Sequence, residues 1–200
     1  MLELFEYVEP SDKNLECYSY RIHALLMRVA IEVEANCRAI LIENNFPKQN
    51  SNDLKMPDYH KINASHKLSS YEVKLPVWHG LQGVRKPFAN WATTHTLPWY
   101  RAYNSAKHDR HENFLNATFE HAVDAMCGLA AIISSQFYNC DFSPNIYWHE
   151  PLSNDGFQLS IGDYLQIRFP KSTDWLPAEL YDFDWKHIEA EADPFQEISF

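Results

Sequence analysis

The sequence predicts an α+β protein: a mainly helical bundle with a small antiparallel β appendage at its C-terminus. Apolar residues recur at three- and four-residue steps over two long segments, which is typical of helices that bury one face. Apolar and polar residues alternate over several shorter segments, most of them after Asn139. We therefore expect a bundle with short strands over residues 1–140 and an acidic β appendage over 141–200, packed together as one compact unit.

The first long helix is predicted over residues 13–45. Ser11 and Asp12 can cap its start, and Pro47 closes it, because a proline excludes the preceding residue from helical backbone angles. The apolar period predicts a single buried stripe along this helix. The stripe comprises Leu15, Tyr18, Ile22, Leu25, Val29, Val33, Cys37 and Ile40.

Short elements are predicted after this helix. Pro57 can begin a short helix within a polar stretch over residues 48–70. Apolar and polar residues alternate over 71–77, and Pro76 is typical of a strand at a sheet edge, since proline has no N–H to give to a second neighbour. A second short strand is predicted over 84–88.

Two further helices and a hairpin complete the prediction. Pro98 is typical of a first helical turn and predicts a helix over residues 99–110. The segment 112–138 is apolar almost all round, so we expect this helix in the centre of the bundle. Alternation on both sides of a Gly-Asp turn predicts a hairpin over 157–169, and 181–185 can add a third strand.

The net charge of −10 excludes a protein that coats nucleic acid by bulk electrostatics, although a local basic site is compatible with it. Residues 171–200 carry 8 acidic and 2 basic side chains, so this segment can shield a basic site or bind a basic protein partner. The chain begins without a signal-peptide pattern, has no apolar run long enough to cross a membrane and has no C-x-x-C pair. We therefore expect a cytoplasmic protein.

One segment, residues 85–111, is basic within this acidic chain. On a helix, Arg101 and His108 lie on one face together with Asn104 and Ser105, because residues three, four and seven apart are neighbours there. A guanidinium offers a fork of donors to a phosphate, and an imidazole transfers protons near neutral pH. The segment therefore predicts a phosphate-binding face. Its basic residues are Arg85, Lys86, Arg101, Lys107 and Arg110, with His95, His108 and His111 beside them.

Other polar residues near this face allow alternatives. Glu32 lies at the border of the stripe of the first helix and can orient His108 or hold a nearby arginine, although a surface pair with Arg28 also explains it. His108 and His111 are three residues apart, but no H-E-x-x-H pattern accompanies them. We expect no metal site, and a metal-dependent hydrolase is the less favoured alternative.

Aromatic residues around the basic segment have two possible roles. Exposed rings there would stack on bases, whereas buried rings would pack the strands onto the helices. We expect the second role for these five. They are Trp78, Trp91, Trp99, Tyr100 and Tyr103.

The R-x(4–6)-H pattern of HEPN-type helical domains is matched in this chain by Arg101 and His108, with six residues between them. The long first helix, the later PWYRAYNSAKHDR and the apolar helix after it have a similar layout, so the chain resembles the HEPN superfamily over roughly residues 13–138. Many HEPN proteins are metal-independent endoribonucleases of toxin–antitoxin, abortive-infection and CRISPR systems. In them, the arginine and histidine of two protomers converge at a dimer interface.

The resemblance implies a homodimer that binds RNA and cleaves it without a cofactor, or an inactive relative, in a prokaryotic defence or stress system. Arg101 would stabilise the transition state and His108 would transfer protons. The supporting residues would be Glu32, Asn104, Lys107 and Arg110. The alternative from a different class is a non-catalytic dimeric interaction or sensor module, such as an antitoxin-like partner.

Overall fold

The computed structural model of the protein describes residues 1–44, 46, 53–138, 140, 142, 155–162 and 164–175. The α-helices are α1 (Leu2–Phe5), α2 (Tyr20–Glu43), α3 (Met56–Tyr59), α4 (Ile62–His66), α5 (Pro98–His108), α6 (Arg110–Asn113) and α7 (Phe119–Phe137). The strands are β1 (Glu72–Lys74), β2 (Val84–Arg85), β3 (Gln158–Ile161) and β4 (Leu165–Arg168). Short 3-10 helices lie at Asp12–Asn14, Leu68–Ser70, Ala89–Ala92, Phe114–Asn116 and Ser172–Asp174.

Helix α2 begins at Tyr20, later than predicted, and the hydroxyl of Ser19 caps it. The carbonyl groups of Leu15 and Cys17 accept hydrogen bonds from the first N–H groups of α7, at 3.0 and 2.7 Å. This tertiary pairing takes the backbone before Ser19 out of the helix and leaves Tyr18 exposed, outside the predicted stripe. Leu25 of the predicted stripe is only half-buried, and Leu26 is buried in its place; the other predicted positions along α2 are buried. The buried residues of α2 are Ile22, Leu26, Val29, Ala30, Val33, Cys37, Ile40 and Leu41.

The predicted helix over residues 99–110 is divided into α5 and α6 at Asp109. The backbone of Asp109 lies outside the helical region (φ −140°, ψ 81°), and its side chain accepts a hydrogen bond from the N–H of Glu112 at 3.2 Å. Aspartate is a favoured N-cap, so Asp109 starts α6, and α5 ends at the residue before it. His108 and His111 consequently lie on different helices and not one above the other on a single face.

Helix α7 is the central helix of the bundle, as predicted, although Thr118 caps it and it begins later than expected. It packs against α2, α5 and the sheet. Gly128 permits the close approach of α5, because a Cβ at this position would lie 3.3 Å from the ring of Trp99. The five aromatic residues around the basic segment are buried in this core, as predicted.

The strands form one antiparallel sheet in the order β2-β1-β4-β3. Strand β1 is therefore internal, and the prediction of an edge strand is wrong. Val73 of β1 lies opposite Arg85 on one side and Ile167 on the other. Pro76 does not interfere because it follows the paired residues. The predicted hairpin, β3 and β4, joins the strands of the first 140 residues in a single sheet.

The α+β class is thus confirmed, with a mostly helical chain and a small antiparallel sheet. The short helix expected at Pro57 is present as α3 and is followed by α4. The third strand expected over 181–185 lies outside the described residues. Within the described part of the chain, no helix is both long enough and apolar enough to span a membrane.

Candidate functional site

The solvent face of α5 carries the arginine and the histidine that the sequence singles out. Arg101 and His108 are both exposed, and Asn104 and Ser105 lie half-buried between them, so the predicted common face is present. The side chains of Arg101 and His108 make no hydrogen bond or ion pair with the residues that the structure describes. Both side chains are therefore available to a ligand. The opposite side of α5 packs into the core through Trp99, Ala102, Tyr103 and Ala106.

A hydrogen-bonded cluster holds α5 against α2. The hydroxyl groups of Tyr100 and Tyr103 both donate to the carboxylate of Glu34, the second over 3.3 Å. Lys107 Nζ donates to the hydroxyl of Tyr103 over 2.9 Å. Burial, and then the hydrogen bond to Glu34 and its charge, raises the pKa of Tyr100, so this hydroxyl keeps the proton that it donates. We call Glu34, Tyr100, Tyr103 and Lys107 the Glu34 cluster.

The cluster corrects the expectation for Lys107. This residue is exposed, but it lies roughly 120° around the helix from Arg101, at about 100° per residue. Its amine contacts Tyr103 on the side of α2, and this hydrogen bond raises the pKa of Lys107. Lys107 therefore supports the position of α5, whereas Asn104 remains beside Arg101 and His108 as expected.

The acid that contacts α5 is Glu34 and not Glu32. Side chains two positions apart on a helix are separated by roughly 200° around its axis, so Glu32 and Glu34 lie on opposite sides of α2. Glu32 is exposed, and its side chain makes no hydrogen bond or ion pair with any described residue. The expected role of Glu32 in orienting His108 or holding an arginine is therefore not supported.

The basic segment does not form one continuous basic surface. Arg85 is buried, with its Nη1 3.6 Å from Glu120 and 3.5 Å from Asp124. Lys86 pairs with Glu72 over 2.6 Å. Acidic residues of α7 and β1, which lie outside the segment in sequence, thus neutralise two of its five basic residues. The candidate site is therefore restricted to the exposed side of α5 and to α6.

Arg110 takes part in an aromatic pocket next to this face. Its guanidinium lies 5.4 Å from the ring centre of Tyr20 and 5.9 Å from that of Phe114. These residues and His111 line an open cavity of about 550 Å³. We call this cavity the Tyr20 pocket.

Two further findings concern metal binding and similarity to known proteins. Among the described residues, no group of three or more His, Cys, Asp or Glu side chains is placed to hold a metal ion. Comparisons with protein-family models, with curated proteins and with solved structures give no significant match for this chain. The function of the chain is therefore inferred from the geometry of the site.

Two features of the site could have been found in the sequence. Glu34 lies four residues after Ala30 and three before Cys37, which places it at the border of the buried stripe of α2. Serine is a preferred N-cap, so Ser19 indicates a helix start that leaves Tyr18 outside the helix. By contrast, no local pattern connects Glu34 with Tyr100, since 66 residues separate them.

The protonation of Asp124 gives a testable dependence of stability on pH. Burial raises the pKa of Asp124 from 3.8 to about 6, against the attraction of Arg85, which lowers it. Because this pKa is higher in the folded than in the unfolded chain, Asp124 stabilises the fold most below about pH 4. This contribution falls by about 2–3 kcal/mol as the pH rises to about 6.

Urea unfolding between pH 4 and 7 measures this contribution, with Asp124→Asn compared to the wild type. We expect the free energy of unfolding of the variant, relative to that of the wild type, to increase as the pH rises through this window. Glu32→Gln is the control, because Glu32 is exposed and unpaired among the described residues. Parallel pH profiles for wild type and Asp124→Asn would contradict the prediction.

Proposed function

We propose that this protein is a HEPN-like cytoplasmic homodimer that binds single-stranded RNA through the solvent face of α5 and cleaves it without a metal. The observation that carries the proposal is the exposure of Arg101 and His108 on one helical face, with neither side chain engaged by the described part of the fold. A guanidinium without an internal partner is free to form a bidentate contact with a phosphate. An imidazole beside that phosphate is suited to proton transfer.

A twofold dimer would complete this site. Arg101 and His108 are seven residues apart, so their Cα atoms are separated by roughly 10 Å along the helix. If two copies of α5 pack antiparallel about a point between Asn104 and Ser105, Arg101 of one protomer lies opposite His108 of the partner subunit. Such an isologous contact brings an arginine and a histidine together twice.

The proposed reaction is an intramolecular transesterification of RNA. A neutral His108 takes the proton of a ribose 2′-hydroxyl, and the 2′-oxygen forms a bond to the adjacent phosphorus. The bond from phosphorus to the 5′-oxygen breaks, and a protonated imidazole gives its proton to that oxygen. Arg101 stabilises the additional negative charge of the phosphorane-like transition state. The products are a 2′,3′-cyclic phosphate and a 5′-hydroxyl.

The test is cleavage of a mixed single-stranded RNA pool in the presence of EDTA, with detection of the cyclic phosphate end. We expect Arg101→Ala and His108→Ala each to slow cleavage by roughly 10²–10³-fold, in the range of lost acid–base or electrostatic catalysis. Arg28→Ala and His95→Ala are matched controls, since both residues are exposed and lie outside the face of α5. Cleavage that persists in His108→Ala, or that disappears in EDTA, would contradict the proposed mechanism.

One observation favours the second candidate, a non-catalytic binding or sensor module. A catalytic histidine is normally oriented by a hydrogen bond to its second ring nitrogen, and His108 has no such partner among the described residues. In this case the same face binds RNA, and a basic protein partner binds the acidic segment 171–200, of which 171–175 are described. RNA binding by the wild type without any cleavage would select this function.

A further inference from the structure

The Tyr20 pocket lies directly beside the proposed RNA-binding face. Arg110 follows His108 by two residues, so their Cα atoms are at most about 7.6 Å apart at 3.8 Å per step. The non-helical backbone of Asp109 separates α5 from α6 between them, so the pocket lies where α5 ends. Its volume of about 550 Å³ lies within the range of small-ligand sites, roughly 300–1,000 Å³.

The walls of the pocket are aromatic rings, one held by the fold and one presented to solvent. Phe114 packs on His23, with ring centres 5.4 Å apart, and its ring is perpendicular to that of Tyr18, with centres 6.0 Å apart. Tyr20 lies 4.9 Å from Phe114, and 72% of its surface is exposed. Tyr20 therefore adds little to the core, yet it stands against a half-buried ring that packs on His23. This arrangement suits a planar ligand that stacks on the exposed ring.

The charges around the pocket indicate which part of a nucleotide it would take. Arg110 and His111 are accompanied by Asp109 and Glu112, and His111 Nε2 lies 4.0 Å from the carboxylate of Glu112. This balance gives little attraction for a phosphate, in contrast to Arg101, whose side chain has no ionic partner in the described part of the chain. An aromatic ring and a guanidinium, however, both stack on the face of a base.

We infer that the Tyr20 pocket holds one unstacked nucleobase of a single-stranded RNA whose phosphates contact Arg101 and His108. The inference rests on the proposed function, because the same strand must reach both places. Base stacking on Tyr20 makes recognition tolerant of sequence, since every base has a flat face. The site therefore favours single-stranded over double-stranded RNA, in which bases are already stacked.

The test is the affinity of the full-length protein for a fluorescent 2′-O-methyl oligouridine, which lacks the 2′-hydroxyl and cannot be cleaved. We expect Tyr20→Ala to weaken binding roughly 5- to 150-fold, as for other lost stacking contacts, and Tyr20→Trp to restore it. Leu115→Ala is the matched control, because Leu115 is also apolar and exposed but does not line the pocket.

Salt dependence separates the two contacts. Arg101→Ala should weaken binding. It should also make the plot of log affinity against log salt less steep, by about 0.7 for one lost phosphate contact. Tyr20→Ala should lower the affinity and leave the slope unchanged, and it should have no effect on an abasic oligonucleotide. If Arg101→Ala weakens binding but Tyr20→Ala does not, the pocket inference is wrong and the proposed function stands. If the wild type does not bind oligouridine, both are wrong.

Discussion

Replacing Arg85 with alanine is expected to lower the free energy of unfolding by about 3–5 kcal/mol, the range for removing one partner of a buried ion pair. The side chain of Arg85 is only 6% exposed and lies between Glu120 and Asp124, one turn apart on α7. Its guanidinium also covers the ring of Trp78, 4.8 Å from the ring centre. The substitution leaves two carboxylates beside each other without a cation and removes the cover from the indole.

Urea unfolding at pH 7 measures this loss, and Arg101→Ala is the matched control. The same change at Arg101, which is exposed and has no side-chain partner among the described residues, should alter stability by less than about 0.5 kcal/mol. Arg85→Met combined with Asp124→Leu should recover part of the loss, because an apolar pair of similar volume carries no desolvation cost. A loss below about 1 kcal/mol for Arg85→Ala would show that water screens this cluster.

Replacing Glu34 with alanine is the second large expected effect, about 2–4 kcal/mol. The hydroxyl groups of Tyr100 and Tyr103 would lose their common acceptor, and each unpaired buried polar group costs roughly 1–3 kcal/mol. The loss concerns function as well, because the Glu34 cluster holds the helix that presents Arg101 and His108. We expect RNA binding by this variant to weaken even at temperatures where it remains folded.

Thermal and urea unfolding of Glu34→Ala, Glu34→Gln and Glu32→Ala provide the comparison. Glutamine retains one carbonyl acceptor and should lose less than alanine, and Glu32→Ala should remain within about 0.5 kcal/mol of the wild type. A double-mutant cycle of Glu34→Ala with Tyr100→Phe should show a coupling of roughly 1–3 kcal/mol. Equal stability of Glu34→Ala and Glu32→Ala would rule out the structural role of the cluster.

The errors in the sequence-based fold prediction concern where helices begin and break and which strands are neighbours. The apolar period predicts the middle of α2 and α7 because one face of each is buried along its length. It extends both helices too far toward their N-termini, since apolar residues such as Leu15 continue the period where the backbone is paired with another segment. The edge position predicted for β1 is wrong because β4, which follows more than eighty residues later, supplies its second neighbour.

The sequence by itself determined the α+β class, the central apolar helix and the common face of Arg101 and His108. These follow from the helical and strand periods, which are properties of the local backbone. Only the tertiary structure decided that Arg85 and Lys86 are neutralised, that Glu34 replaces Glu32 as the partner of α5, and that Tyr20 borders a pocket. Each of these depends on side chains from distant segments meeting in space, and the charge and burial of a group depend on those neighbours.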